Sequence, residues 1–353
     1  MTPQAWLRGH AGRLVLAGMV GTALLALWGV AAPGVALAGW LVAFAFWFGL
    51  ALGAHALLAV HALTGGRWLA PLFPVLAPAV ASMPAFALLA LPLLLGAAAL
   101  WPWAADPAAV TSPGVAQWYL NLPGFALRGA VLLAGWSIFG LLLVGSGARR
   151  PAVAAPAMVF HGVAVSVFGL DWLLSLDPDF RSSAFGMALG VTQVLAALAW
   201  AALLEPEPAD FRGKAGDLAR LMMAAALGAI YLGFAEYLVA WYGNLPHKAA
   251  WYLRREALPW IRLEAAAVAL SAILPVATLL PTVMRRSPRV LAWVGMGVLA
   301  GIWCHLVTLV GPQFGPWAVG SAALGTFGMG GIWLGLTGGP FAARLTREVP
   351  HGA

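Results

Sequence analysis

Charged side chains are scarce in this sequence. Asp, Glu, Lys and Arg make up 9% of 353 residues, against about a quarter of an average soluble domain. With 19 basic and 12 acidic residues, the chain cannot build a surface that water would cover, which excludes a water-soluble globular domain. Cysteine is nearly missing as well. The single Cys304 excludes an intramolecular disulfide, an all-cysteine iron–sulfur cluster and the paired thiols of a c-type haem site. Any redox cofactor must therefore be held by histidine or by another subunit. Long polar stretches are absent too: there is no low-complexity tail, no nucleotide-binding loop and no large soluble insertion. The net charge of +7 does not indicate nucleic acid, because the basic residues lie singly or in pairs between apolar runs rather than in a patch.

What is present is apolar. The chain is 62% hydrophobic, with 42 Gly and 18 Trp and a mean hydropathy of +0.90, so its solvent is largely lipid. A spanning helix needs roughly 20 apolar residues, and the sequence divides into ten such segments, at 14–32, 35–63, 72–100, 125–145, 152–175, 183–204, 218–242, 257–282, 290–311 and 317–337. The first follows Arg8 and Arg13 as a signal peptide would, but its apolar core exceeds the usual 7 to 15 residues or so, and it reads as a helix. The expected fold is an all-α, polytopic membrane protein forming a single integral domain, with spans two to five and six to nine as two four-helix bundles and the first and last spans flanking them.

Lys and Arg in alternate connections set the orientation. Thirteen fall on the side of the N-terminus (Arg8, Arg13, Arg67, Arg149, Arg150, Arg212, Lys214, Arg220, Arg285, Arg286, Arg289, Arg344, Arg347) and six opposite (Arg128, Arg181, Lys248, Arg254, Arg255, Arg262). Both termini are therefore expected in the cytoplasm.

An ionisable group inside a span costs at least about 2.5 to 3.5 kcal/mol and so needs a partner, a cavity or a function. The candidates are His55 and His61 in the second span, His161 and Asp171 in the fifth, Glu236 in the seventh, Glu264 in the eighth and His305 in the ninth. Asp171, Glu236, Glu264 and His305 fall in the outer third, and His161 lies near mid-membrane. Carboxylates and imidazoles gathered at one depth suit the mouth of a proton path or a site that releases protons. The competing reading is that each pairs with an arginine or caps a helix. His55 and His61 project about 120° apart, and no span carries a histidine pair spaced for haem; His161 with His305 remains open. Trp101, Trp103, Trp118, Tyr119, Trp241, Tyr242, Trp251, Tyr252 and Trp260 fall at the outer boundary, where an aromatic belt is expected.

Two outer connections are denser in chemistry than anchoring requires. In Gly169–Gly186, Asp171, Asp177, Asp179 and Arg181 bracket a helix end; Pro178 should stop the helix, and Asp179 or Ser182 should cap the next. In Trp241–Arg255 a turn at Gly243 to Pro246 leads into a short amphipathic piece carrying Trp251, Tyr252, Arg254 and Arg255, suited to the interface plane or to a peripheral subunit.

These connections carry a resemblance. His61-Ala-Leu-Thr-Gly-Gly-Arg-Trp68, Tyr119-Leu-Asn-Leu-Pro-Gly-Phe-Ala-Leu-Arg128, Asp171-Trp-Leu-Leu-Ser-Leu-Asp-Pro178 with Ser182, Ser183, Phe185 and Gly186, and Tyr231 through Pro246 with Trp251, Tyr252 and Arg254 are similar to the NrfD-like, polysulfide-reductase-type membrane subunits. Within that family they resemble the second such subunit of alternative complex III, the bacterial quinol:cytochrome c oxidoreductase. The likeness covers about residues 50 to 310 and departs from the family pattern at Glu236, where Gln is usual, at His247 and Lys248, where an acidic pair is usual, and in the apolar stretch Leu69 to Pro78.

The resemblance implies a non-haem subunit of the bacterial inner membrane that binds no metal, with quinone or quinol as its potential ligand. It would sit beside a multihaem cytochrome c, a molybdopterin-like iron–sulfur subunit and a sister NrfD-like subunit. His55, His161, Asp171, Glu236 and His305 become the proton-handling candidates, and Trp172, Asp177, Trp241, Tyr242, Trp251 and Arg254 the quinone- or partner-contact candidates. The subunit would contribute to quinol interaction or proton translocation without being catalytic alone. The alternatives are a secondary transporter, with the Gly- and Pro-rich spans 72–100 and 317–337 as its broken helices, and a purely structural anchor.

Overall fold

A computed structural model of the chain describes residues 3–66, 68–110, 112–145, 151–178, 180–204 and 215–338. Arg67, Arg149, Arg150, Arg212, Lys214, Arg344 and Arg347 of the charge count and the candidate cap Asp179 lie outside the described residues. Among the described residues the structure is helical throughout, with nine helices long and apolar enough to cross a membrane and a bent pair that makes a tenth. They are α1 (Pro3–Ala31), α2 (Pro33–Thr64), α3 (Phe73–Ala81 with Met83–Leu95), α4 (Leu122–Gly145), α5 (Pro151–Leu176), α6 (Phe185–Leu204), α7 (Ala215–Tyr242), α8 (Trp260–Leu279), α9 (Pro288–Gln313) and α10 (Trp317–Gly338). Helices are the expected outcome, because backbone groups in hydrocarbon must be satisfied within their own segment.

The two bundles expected from the sequence are there. α2, α3, α4 and α5 pack in a ring, each on its neighbours; α6, α7, α8 and α9 form a second ring; α1 packs on α10, and α10 on α2. α2 is the hub, touching α10, α6 and α9 as well as its own ring, and 89% of its spanning window is buried, against 17% for α1 and for α8. Lipid supplies no hydrophobic drive between helices, so close approach through small residues holds the seams. At the α2–α6 seam a Cβ on Gly53 would stand 1.8 Å from the Gln193 carbonyl oxygen.

Local departures have local causes. α3 is broken after Ala81 and bent there by 41°, where Pro84 at the start of Met83–Leu89 lacks an N–H and crowds the preceding turn; Pro92 starts the further short segment Leu91–Leu95. The bend carries no ionisable group. α10 is continuous, so the break that the transporter alternative would place there is not formed. α1 begins at Pro3, well before the apolar run, because Arg8 and Arg13 can extend a helix past the hydrocarbon. Ser182 caps α6, accepting from the Ala184 and Phe185 amides at 3.2 Å. α5 and α8 each contain a π turn, Gly169–Leu173 and Ala269–Ile273, a feature common at functional sites.

The aromatic belt is only partly formed. Trp118, Trp241 and Tyr242 face outward, but Trp101, Trp103 and Trp260 are buried. The 101–121 connection folds back over the first ring, so that Trp101 and Trp103 pack on Phe125 at 4.7 and 5.3 Å.

Because the α2–α6 seam has no room for a side-chain carbon, Gly53→Ala should destabilise the chain by about 1 to 3 kcal/mol, the usual penalty of overpacking, read as a lowered thermal midpoint in detergent.

Candidate functional site

The face holding the 101–121, 177–184 and 243–259 connections, here the far face, gathers two polar clusters, one per ring. The first joins α4 to the π turn of α5. Asp171, with none of its surface exposed, accepts from Arg128 Nε at 2.7 Å and from Arg128 Nη2 at 3.3 Å. A carboxylate sealed in a membrane helix is tolerated only when neutralised in place, and this two-pronged contact does that. Tyr119 completes the lock, with the Arg128 guanidinium 4.0 Å above its ring. Burial, reinforced by the Asp171 charge, pushes the Tyr119 phenol up to about 12. The Ser175 hydroxyl donates to the Asp171 carbonyl, satisfying a backbone oxygen in the π turn. The geometry of Asp171 is thus that of the arginine-paired alternative.

The second cluster lies between α7, α8 and α9. His305 Nδ1 faces the Glu264 oxygens at 3.2 and 3.3 Å, and the Thr308 hydroxyl donates to Glu264 Oε2 at 2.5 Å. Glu236 sits within electrostatic reach of His305 and Lys248, and its Oε1 is buried without a hydrogen-bond partner among the described residues. Beside them Arg255 donates to the Thr308, Leu309 and Trp251 carbonyls at 2.9, 3.0 and 2.7 Å. It therefore caps the end of α9, where orphan carbonyls and the helix dipole favour a cation. Burial draws the Arg255 guanidinium down to about 10, which still leaves it cationic at neutral pH. Tyr252 is displaced upward, first by burial and then by the Glu236 charge.

Mid-membrane, the structure joins His55 and His161 across α2 and α5, their rings stacked at 5.4 Å and 25°. Face-to-face stacking sets the imidazoles side by side instead of on opposite sides of an iron, so they are not an axial haem pair. Trp136 donates to His161 Nδ1 at 3.2 Å, while both His55 nitrogens and both Gln193 amide atoms are buried without a hydrogen-bond partner among the described residues. His161 and His305 lie in different rings and are not brought together. His61 packs edge-on against Trp68. Among the described residues no three of His, Cys, Asp and Glu converge as metal ligands.

The contact candidates divide. Trp172 is a core residue, stacked on Phe44 at 5.1 Å. Trp251 stacks on Phe180 at 4.3 Å beneath Arg255. Asp177 and Arg254 pair with each other across the two far-face connections; with Arg254 53% exposed, such a bridge contributes about 0 to 1 kcal/mol and aligns the connections more than it holds them. Trp241 and Tyr242 remain exposed. Comparison with known proteins adds no assignment. No family model matches the chain, and no curated protein does either. Sequence reasoning missed Thr308 and Gln193; a lone amide in the apolar run of α6 was the available signal for Gln193.

Arg128→Leu should leave the Asp171 charge unpaired and cost about 3 to 5 kcal/mol, whereas Arg128→Leu with Asp171→Leu should recover most of the loss in a thermal melt. The raised Tyr119 phenol stabilises the folded chain below pH 10, and that contribution should disappear as pH rises from 10 to about 12. Ultraviolet phenolate titration should show this late ionisation and lose it in Tyr119→Phe.

Proposed function

We propose that this chain is a non-haem membrane subunit of a quinol-oxidising respiratory complex, of the NrfD-like kind found in alternative complex III, and that it handles protons at its far face. One observation carries the reading. Glu236, an acidic side chain inside a membrane helix, has a buried oxygen with no hydrogen-bond partner among the described residues and stands beside the linked Glu264–His305 pair. Insertion of such a group is costly, and among the described residues no hydrogen bond to that oxygen offsets the cost. A purely structural anchor would pair it as Asp171 is paired.

On this reading the far face is periplasmic and both termini are cytoplasmic, in line with the excess of Lys and Arg on the N-terminal side. Quinol oxidation in or beside the subunit releases two protons; Glu236 and the Glu264–His305 pair receive and pass them outward, while the electrons leave to the haem and iron–sulfur groups of neighbouring subunits. Arg128–Asp171 shapes the field of the first ring. His55, His161 and Gln193 are the mid-membrane groups through which a longer path would run, with water filling the hydrogen bonds that His55 and Gln193 lack.

Glu236→Gln should slow quinol-dependent turnover or proton release by roughly 100-fold, the lower end of what a positioned proton-transfer group supplies, without dissociating the complex. Stopped-flow proton release and co-purification of a multihaem cytochrome check the two halves. Unchanged rate and stoichiometry would remove Glu236 from the mechanism, and a lone chain that transports a solute would replace the reading.

A further inference from the structure

Away from both polar clusters, the outside of the second ring meets the flanking helices. α1 packs on α10 and α2, while α9 packs on α6, α8 and α2. Between α1 and α9 lies a groove of about 560 Å³. Leu14 and Ala17 of α1 form one wall, and Met296, Ala300 and Trp303 of α9 the other. Trp47 of α2 and Trp200 of α6, both buried, close its base.

The groove runs along the helices. α10 lends it Ala323, Phe327 and Leu334, which share one helix face and extend over about 16 Å at 1.5 Å per residue. That is close to one leaflet of a hydrocarbon core roughly 30 Å thick. Leu334 stands one turn from the end of α10 at Gly338, on the side of the molecule opposite the far face, here the near face. The groove therefore begins close to the near-face headgroups and ends just past mid-membrane. Met296 and Phe327 line it and are 44% and 60% exposed. At their depth the surroundings are hydrocarbon, so the groove opens to lipid.

Its interior suits hydrocarbon. Trp47 Nε1 donates to the Thr326 carbonyl at 3.0 Å, and Trp303 Nε1 donates to the Thr326 hydroxyl at 2.9 Å. These polar groups are spent on each other, and a ligand that needs several hydrogen bonds finds few partners. The near-face end is different. Arg289 lies two turns before Met296 on the same face of α9, and Arg13 lies one turn before Ala17 on α1. Both are exposed, and neither forms an ion pair among the described residues. An apolar channel one leaflet long, with uncompensated positive charge at headgroup depth, matches a molecule that joins a hydrocarbon chain to an anion.

We propose that the groove between α1 and α9 binds an acyl chain of an anionic phospholipid of the near leaflet, its phosphate drawn to Arg13 and Arg289. The site is independent of the redox reading of the chain.

The test takes the full chain with any partners that co-purify, strips it of lipid in mild detergent, and titrates it with phosphatidylglycerol or phosphatidylcholine of the same chain length. Native mass spectrometry counts the lipid bound. One phosphatidylglycerol per chain should be retained at least tenfold more tightly than phosphatidylcholine. Arg13→Gln with Arg289→Gln should weaken it roughly 30-fold, the loss expected for two cations at a lipid surface. Ala300→Phe fills the groove from its exposed side and should abolish retention of either lipid; Ala323→Phe, also exposed, repeats the block from α10. An unchanged thermal midpoint of the lipid-free variants would show that they fold. A phosphatidylglycerol carrying a diazirine on its acyl chain should label α9 and α10 of the unaltered chain along this groove, which keeps the test decisive if the variants do not fold. Equal retention of the two lipids, retention unchanged by either phenylalanine, or label mapping elsewhere would overturn the proposal. So would a photocrosslinker at position 300 that, in native membranes, captures a partner's helix in place of lipid.

Discussion

Hydrocarbon does not solvate a charge, and the arrangement of this molecule follows from how each ionised group is accommodated. Asp171 is neutralised by Arg128 within a two-pronged contact, Glu264 is held by His305 and Thr308, and Arg255 spends its donors on the open carbonyls at the end of α9. To supply those partners, the far-face connections cannot loop out into water. The 101–121 segment folds over the first ring and brings Tyr119 onto Arg128, while the 243–259 segment folds over the second and brings Tyr252 and Arg255 down.

The two rings solve the same architectural problem differently. The first is filled with aromatic rings that touch one another from Phe44 through Trp172 to Phe125 and Trp101, with its one carboxylate locked at the rim. Such an interior has little freedom, because a close-packed core resists changes of even one methylene. The second ring keeps polar groups partly accessible, with Glu264 and His305 retaining 38% and 39% of their side-chain surface, while the first supplies a rigid wall and, through α2, the seam against which α6 and α10 align. Exposure along α7, from Tyr231 to Tyr242, puts that helix at the outer surface of the second ring.

Much was legible in the chain before any coordinates. Ten apolar runs of spanning length dictate ten crossings, since nothing else satisfies a backbone in lipid, and the polar residues that interrupt those runs identify the far face as the place of interest because each carries an insertion cost. The turn at Gly243 to Pro246 and the cap at Ser182 are also readable, as both depend only on neighbours in sequence. Depth was legible; partnership was not. Whether Trp101 anchors at a headgroup or fills a core, whether Asp171 meets an arginine or stands free, and whether His161 faces His55 or His305 all depend on helix rotation and on how a connection folds back.

Those are long-range relations, decided when small residues such as Gly53 set how closely α2 and α6 approach. The sequence by itself determined the solvent, the number of crossings and the depth of the titratable groups, because hydropathy and helical rise act along the chain. Only the tertiary structure decided which of those groups are neutralised and which remain available, because a charge in hydrocarbon is governed by whatever lies within a few ångströms across a helix interface, and that neighbour is often dozens of residues away.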